Sequence, residues 1–199
     1  MDFITALPTS NGKDAIWVVI DRLTKMGHFI VCHGTMNPRD LADHFLQQIV
    51  RPHRLPSRIV SDRGFLFTSE FWRQVTEALG ILRNLSTACR PQTDGQIERT
   101  NATIEQYIQA YCNYGQNAWE KLLPIAEFCY NNTQTGTTRI TRFLANYGYH
   151  PRFTSDLGTW NDETLEVSEY IVALRKLHEE LQVEIKETQM AQAEQANKT

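Results

Sequence analysis

The apolar run AIWVVI, at residues 15–20, restricts the possible folds of this chain more than any other feature. It is too short to cross a membrane, and its β-branched residues favour a buried strand. Two shorter segments of strand character flank it, FITA at 3–6 and HFIVC at 28–32. The pair Asn11-Gly12 between the first two is typical of a tight turn. We therefore predict three successive antiparallel strands.

The pattern changes from strand to helix at Asn37. Asn37 is a good cap for a helix that begins with Pro38 and carries Asp40 in its first turn, and the segment RPHRLPS at 51–57 should break this helix. Strand patterns follow at 58–62 and 81–87, alternating with helices that begin after Ser69, near Glu98 and at residue 117. A three-strand meander followed by alternating helices and strands predicts an α/β fold with a mixed sheet.

Composition excludes several classes of protein. The N-terminus lacks the basic and apolar blocks of a secretory signal, so we expect a soluble intracellular protein. The four cysteines are far apart and form no Cys-x-x-Cys pair, which argues against a disulfide framework and against a zinc module.

Charge is unevenly distributed along the chain. Residues 159–199 hold nine acids and four bases, whereas residues 1–158 hold 14 acids and 16 bases. Four of these bases fall within 13 positions: Arg51, Arg54, Arg58 and Arg63. Arginine suits phosphate, although a net charge of +2 is also common on ordinary solvated surfaces.

Three carboxylates lie where a sheet of this kind gathers functional groups. Asp62 ends a predicted strand, Glu98 follows the next one, and Asp2 begins the first. If they converge, their oxygens suit Mg²⁺. Each also has an ordinary explanation, as a turn residue, a helix-start carboxylate and a terminal residue. Asp21 also ends a strand, but capping its turn or pairing with a nearby base explains it better.

Seven segments together resemble the integrase catalytic core of Gypsy-type long-terminal-repeat retrotransposons: MDFITALP, DAIWVVIDRLTKMGHF, LPSRIVSDRG, FTSEFW, LSTACRPQTDGQIERTN, AWEKLLPIAEFCYNN and ANYGYHPR. The resemblance implies a ribonuclease-H-like α/β fold. It also sets the predicted organisation, with the core at 1–152, a linker at 153–162, a polar amphipathic helix at 163–190 and a disordered tail at 191–199.

The resemblance also implies a catalytic triad. The family signature is two aspartates and a glutamate, which match Asp2, Asp62 and Glu98, with 35 residues between the last two. These residues would hold two Mg²⁺ or Mn²⁺ ions, and no small-molecule cofactor is implied. DNA contacts are implied for five further residues, for which ordinary surface polarity is the alternative: Arg63, Gln92, Gln96, Arg99 and Asn101.

By resemblance, the function is DNA integration in the nucleus. Water trims the 3′ ends of the element's DNA, and the new 3′ hydroxyls then attack the target duplex. The implied partners are both DNA molecules and further copies of the chain, with no membrane. Two alternatives stay open: a truncated, non-catalytic remnant with residual nucleic-acid binding, and a ribonuclease H or related nuclease.

The sequence departs from the family pattern at both ends. The family's zinc module before the core and its DNA-binding module after it are not present in these 199 residues. Only Met1 precedes Asp2, so the first strand is expected to fray and to hold this ligand poorly. Whether the chain is an active enzyme therefore depends on whether Asp2 stays in place.

Other departures lie inside the core. Arg83 occupies a strand position that favours an apolar side chain, so it needs a partner or a shifted strand. Thr141-Arg142 stand in place of a Ser-Pro pair, and Cys89-Arg90 replace an aromatic-histidine pair.

Overall fold

The computed structural model describes residues 1–86, 100–106, 119–135 and 139–151, together with five helical positions further on: Val172, Lys176, Glu179, Glu180 and Val183. The chain divides into two compact units, Met1–Ile20 with Gly27–Leu123, and Asp21–Met26 with Pro124–Thr199. The predicted linker at 153–162, the tail at 191–199 and most of the helix at 163–190 lie outside the described residues. No helix in the described part is long and apolar enough to span a membrane.

The predicted meander is confirmed. Strands β1 (Asp2–Ile4), β2 (Ala15–Ile20) and β3 (Gly27–Cys32) pair antiparallel in the order β1-β2-β3. Trp17 on the central strand lies opposite Phe3 on one side and Ile30 on the other. Ser10 and Lys13 exchange two backbone hydrogen bonds of 2.8 Å around the Asn-Gly turn, in which both central residues have positive φ.

The first helix ends within the segment that was predicted to break it. It runs through α1 (Pro38–His44), a π-helical segment (Phe45–Val50) and α2 (Arg51–His53). Asn37 and Asp40 cap its start reciprocally, as their types suggest. Pro52 would clash with the preceding turn of an ordinary α-helix, and the wider π-helical turns lie directly before it. The helix therefore continues past Pro52 and ends at His53, inside the predicted break at 51–57.

A second pair of strands, which run parallel to each other, leads to Asp62. Strands β4 (Arg58–Ser61) and β5 (Leu82–Leu85) pair with Ile59 opposite Arg83. Helices α3 (Phe65–Thr68) and α4 (Glu70–Ala78) connect them, and the Ser69 hydroxyl caps α4 by accepting a hydrogen bond from the Trp72 N–H, as predicted. Helix α3 was not predicted from the sequence. The predicted class, a mixed α/β structure, is confirmed.

Two contacts join β1 to the β4 side of the fold. The amino group of Met1 donates to the Val60 carbonyl at 2.8 Å, and the Phe3 ring lies 5.3 Å from the Phe67 ring, centroid to centroid. Phe3 also stacks on Trp17, which is fully buried. The first strand is therefore held by its pairing with β2 on one edge and by its contacts with Val60 and Phe67 on the other.

Arg83 has found a partner, which was one of the two predicted outcomes. Its guanidinium donates to the Phe67 carbonyl at 3.1 Å, and the side chain is half-buried. Of the two apolar residues expected on the same face as Arg83, Ile81 is buried and Leu85 is 37% exposed.

The second unit uses a buried arginine at a helix end. The remaining described helices are α5 (100–106) in the first unit, α6 (Trp119–Asn132), whose residues are divided between the two units, and α7 (Arg142–Tyr147) in the second unit; α6 continues through its internal proline. The Arg142 guanidinium donates to the carbonyls of Tyr130 and Thr133 at 2.6 and 3.2 Å and lies over the Tyr130 ring. Burial lowers the pKa of Arg142. Thr141 caps α7 through its hydroxyl, so the pair that replaces Ser-Pro has a structural role at both positions.

The backbone conformation of Arg54, which directly follows α2, can be tested by substitution. It has φ 71° and ψ 179°, a region that glycine occupies far more readily than other residues, at a strain cost of about 1–3 kcal/mol. We expect Arg54→Gly to raise the free energy of unfolding by about 1 kcal/mol in urea denaturation. The control is Arg51→Gly, which removes the same charge from a helical position and should lower stability by roughly 0.5–1 kcal/mol. Equal effects of the two changes would show that Arg54 is not strained.

Candidate active site

The contact between Met1 and Val60 brings together the strands that carry two aspartates. Asp2 opens β1 and lies opposite Val18 on β2. Asp62 directly follows β4, two residues after Val60. Because the Met1 nitrogen is hydrogen-bonded to the Val60 carbonyl, the backbone at the start of β1 lies beside the end of β4.

The Asp2 carboxylate is fixed by two hydrogen bonds. Its Oδ1 accepts from the Phe3 N–H at 2.8 Å, and its Oδ2 accepts from the Asn101 side-chain amide at 2.8 Å. The amide must present its NH₂ group here, since a flipped amide would put its oxygen against a carboxylate. The other Asn101 atom, Oδ1, is buried and has no hydrogen-bond partner in the described part of the chain. It is a spare acceptor next to Asp2.

Asp62 is exposed and is oriented by the turn that follows it. Its Oδ1 accepts a hydrogen bond from the Gly64 N–H at 3.1 Å. A Cβ atom at residue 64 would lie 3.1 Å from Oδ1 and 3.3 Å from Oδ2. A Cβ there would make the Asp62 carboxylate shift by a few tenths of an ångström, so close approach favours glycine, whereas the backbone angles at Gly64 suit any residue. Arg63, between them, is exposed.

These donors fit a hard divalent cation. Mg²⁺ takes one or two carboxylates and completes its shell with water and substrate phosphate, and Asp2 and Asp62 supply two carboxylates, one of them open to solvent. The described residues contain no cluster of three or more His, Cys, Asp or Glu side chains. Glu98, the third predicted ligand, lies outside the described residues, as do Gln92, Gln96 and Arg99.

The DNA contact predicted for Asn101 stays a prediction, and in the structure the side-chain amide of Asn101 donates to Asp2. The sequence could have predicted that Asn101 lies near the proposed metal ligands. Asn101 is three residues after Glu98, and residues three apart on a helix share a face. The role of Gly64 was missed as well. The signal for it is the Asp-x-Gly turn pattern, in which an aspartate accepts from the backbone two residues later.

Asp21, the competing strand-end aspartate, has the turn-capping role predicted for it. Its Oδ1 accepts from the Leu23 N–H, the Thr24 N–H and the Thr24 hydroxyl, at 3.1, 2.7 and 2.8 Å.

Comparison with known proteins agrees with the sequence resemblance. No protein-family model matches the chain. The Transposon Tf2-3 polyprotein of Schizosaccharomyces pombe is 34% identical over 170 residues, which are 85% of this chain and 13% of the polyprotein. The Tf2-4 polyprotein matches with the same figures. The chain thus spans about an eighth of the length of these relatives.

Solved structures give the same fold. The HTLV-2 integrase catalytic core domain in complex with magnesium matches with a TM-score of 0.58 and 15% identity, over 73% of this chain and 94% of that domain. The integrase of the simian T-cell lymphotropic virus intasome, solved with the PP2A regulatory subunit B56 gamma, matches with a TM-score of 0.61 and 17% identity, over 82% of this chain and 58% of that one.

The fold is therefore that of the integrase catalytic cores, and the predicted ribonuclease-H-like α/β class is confirmed. With the sequence match to the Tf2 polyproteins, the chain belongs to the integrase cores of long-terminal-repeat retrotransposons.

Gly64→Ala tests the close approach at Asp62. The added methyl group must push the carboxylate aside, so we expect Mn²⁺ affinity, measured by isothermal titration calorimetry, to fall about tenfold. Gly34→Ala is the matched control, because Gly34 stands in the same relation to Asp14: its N–H donates to Oδ1 at 2.6 Å and its Cβ would lie 3.4 Å from Oδ2. If both variants lose affinity alike, or neither does, the assignment of Asp62 as a ligand is wrong.

Proposed function

We propose that this chain is the catalytic core of a metal-dependent DNA integrase that trims the 3′ ends of element DNA and joins them to a target duplex. The observation that supports the proposal is the 2.8 Å hydrogen bond from Met1 to Val60, which joins the start of β1, where Asp2 lies, to the end of β4, which Asp62 follows. Asp2, Asp62 and Glu98 are the proposed ligands of two Mg²⁺ or Mn²⁺ ions.

The bound ions would supply charge neutralisation for the displacement at phosphorus. In trimming, a water oxygen bonds to phosphorus and the 3′ oxygen of the upstream nucleotide leaves. In joining, that new 3′ hydroxyl attacks a target phosphodiester, and a 3′ oxygen of the target leaves. Both steps exchange one P–O bond for another, so neither requires a covalent enzyme intermediate.

The chain's own residues position the reacting groups. The Asn101 amide restricts the Asp2 carboxylate, and the Gly64 N–H restricts Asp62. Arg63 is exposed beside Asp62, where its guanidinium can contact a DNA phosphate. Gln92, Gln96 and Arg99 are proposed to contact DNA on the same side, since they flank Glu98 in the sequence.

Metal use, multimerisation and cellular location are parts of the same proposal. The HTLV-2 core was solved in complex with magnesium in both trimeric and dimeric forms, and the simian viral integrase was solved in an intasome. These support divalent-metal use and a homo-multimer acting on DNA. A target duplex of chromosomal DNA would place the active protein in the nucleus.

The proposal is tested with a branched oligonucleotide that mimics the joined product, in the presence of Mn²⁺. We expect the parent chain to reverse the joining reaction and Asp62→Asn and Glu98→Gln each to lower its rate by more than about 100-fold, because each removes a proposed metal ligand. Asp21→Asn is the matched control, since that strand-end aspartate caps a turn.

Activity that survives Asp62→Asn, or that falls equally with Asp21→Asn, would contradict the proposed site. A folded parent without any joining activity would instead identify the chain as a non-catalytic integrase core. Preferential cleavage of RNA–DNA hybrids would favour a ribonuclease H.

A further inference from the structure

Three exposed arginines surround the point where α2 ends and β4 begins. Arg51 lies in α2, Arg54 directly follows it, and Arg58 opens β4. We call these three residues the arginine patch. No aspartate or glutamate occurs in the sequence between Asp43 and Asp62, so the segment that carries the patch has no acidic residue of its own.

The charges of the arginine patch are not neutralised within the described residues. The ion pairs found there join Arg73 to Glu70 and Glu77, and Lys176 to Glu180. None of them involves a patch residue. Arg73 shows the contrast: it is also exposed, but two carboxylates 2.6 Å away occupy its guanidinium.

The backbone under the patch is held in place. The Arg54 N–H donates to the Val50 carbonyl at 2.7 Å, and the Leu82 N–H donates to the Ser57 carbonyl at 3.1 Å. His53, between Arg51 and Arg54, is joined to His28 on β3 by a 2.7 Å contact between their Nε2 atoms. The patch is therefore pre-organised by bonds to both neighbouring strands.

The position of Arg54 is not explained by local stability. A cation in the last turn of a helix is favourable, which accounts for Arg51. Arg54, however, occupies a backbone conformation suited to glycine, with φ 71° and ψ 179°. A long cationic side chain at such a strained position is an outlier. It indicates that the Arg54 side chain has a function other than stabilising the fold.

We propose that the arginine patch is a second DNA-binding surface that holds backbone phosphates of a duplex away from the candidate active site. The inference rests on the proposed function, in which the protein must hold element DNA and a target duplex together. Arg58 and Asp62 lie at opposite ends of β4, roughly 13 Å apart at about 3.3 Å per residue. The patch therefore contacts phosphates other than the reacting one. Guanidinium forks fit phosphate, and such contacts hold DNA without reading its sequence.

The test is binding of a labelled 30-base-pair duplex of arbitrary sequence by fluorescence anisotropy, in EDTA and over a series of KCl concentrations. We expect the triple change Arg51→Gln, Arg54→Gln and Arg58→Gln to weaken binding at least tenfold at about 0.1 M salt. The slope of log affinity against log salt should become shallower by about 2.7, at about 0.9 per phosphate contact.

Two further variants separate the patch from net charge and from folding. The triple change Arg22→Gln, Arg39→Gln and Arg139→Gln removes the same charge from exposed arginines elsewhere and should change affinity less than threefold. Changing the patch residues to lysine keeps their charge and should retain affinity within about threefold. Equal losses in the two glutamine triples, or a loss in the lysine triple as large as in the patch glutamine triple, would overturn the proposal.

The two proposals fail separately. In EDTA no joining occurs, so the difference in duplex binding between the parent and the patch variants reports the patch, whereas the branched-oligonucleotide reaction reports the active site. Joining by the parent together with unchanged binding by the patch glutamine triple would reject the patch and leave the integrase function standing. A joining-inactive parent whose duplex binding still depends on the patch would support the patch and reject the chemistry.

Discussion

The candidate active site depends on one backbone contact, the hydrogen bond from the Met1 nitrogen to the Val60 carbonyl. β1 has only three residues, and β2 alone would leave its other edge unpaired. The bond to Val60 and the packing of Phe3 on Phe67 close that edge. The strands that carry Asp2 and Asp62 meet through these two contacts, and the proposed metal site rests on that meeting.

Two arginines show how this chain accommodates cations inside its structure. In the described residues neither Arg83 nor Arg142 forms an ion pair with a carboxylate, and each donates to backbone carbonyls instead. Carbonyl partners at the end of a helix suit a guanidinium, because the unpaired carbonyls there carry partial negative charge. At Arg142 they offset part of the cost of burying the charge, although its Nε has no partner among the described residues, and they join the end of α6 to the start of α7.

Local chemistry predicted much of the fold. The Asn-Gly turn, the reciprocal cap of Asn37 with Asp40, and the Ser69 cap all follow from residue types within three positions of each other. The alternation of strands and helices followed from apolar periodicity. The short helix α3 was missed because four residues are too few to show a period, whereas the end of the first helix fell within the predicted break at 51–57.

The site was less predictable than the fold. The position of Asp62 at the end of a strand could be predicted from the neighbouring residues. The hydrogen bond between Asn101 and Asp2, however, joins residues 99 positions apart, and no local sequence pattern indicates it. The family resemblance implied the pairing of Asp2 with Asp62, and the contact at Val60 is the structural observation that supports it. The contribution of Arg54 to the arginine patch was inferred from its backbone angles, which the sequence alone does not give.

The most direct test of a shared metal centre is a double-mutant cycle on Mn²⁺ binding, followed by electron paramagnetic resonance. Asp2→Asn and Asp62→Asn would be measured singly and together. If the two aspartates hold the same ion, each single change should remove most of the tight binding, and the double variant should be little weaker than either single one. Free-energy losses that simply add in the double variant would show that Asp2 and Asp62 bind independently, and the account of the site would be wrong.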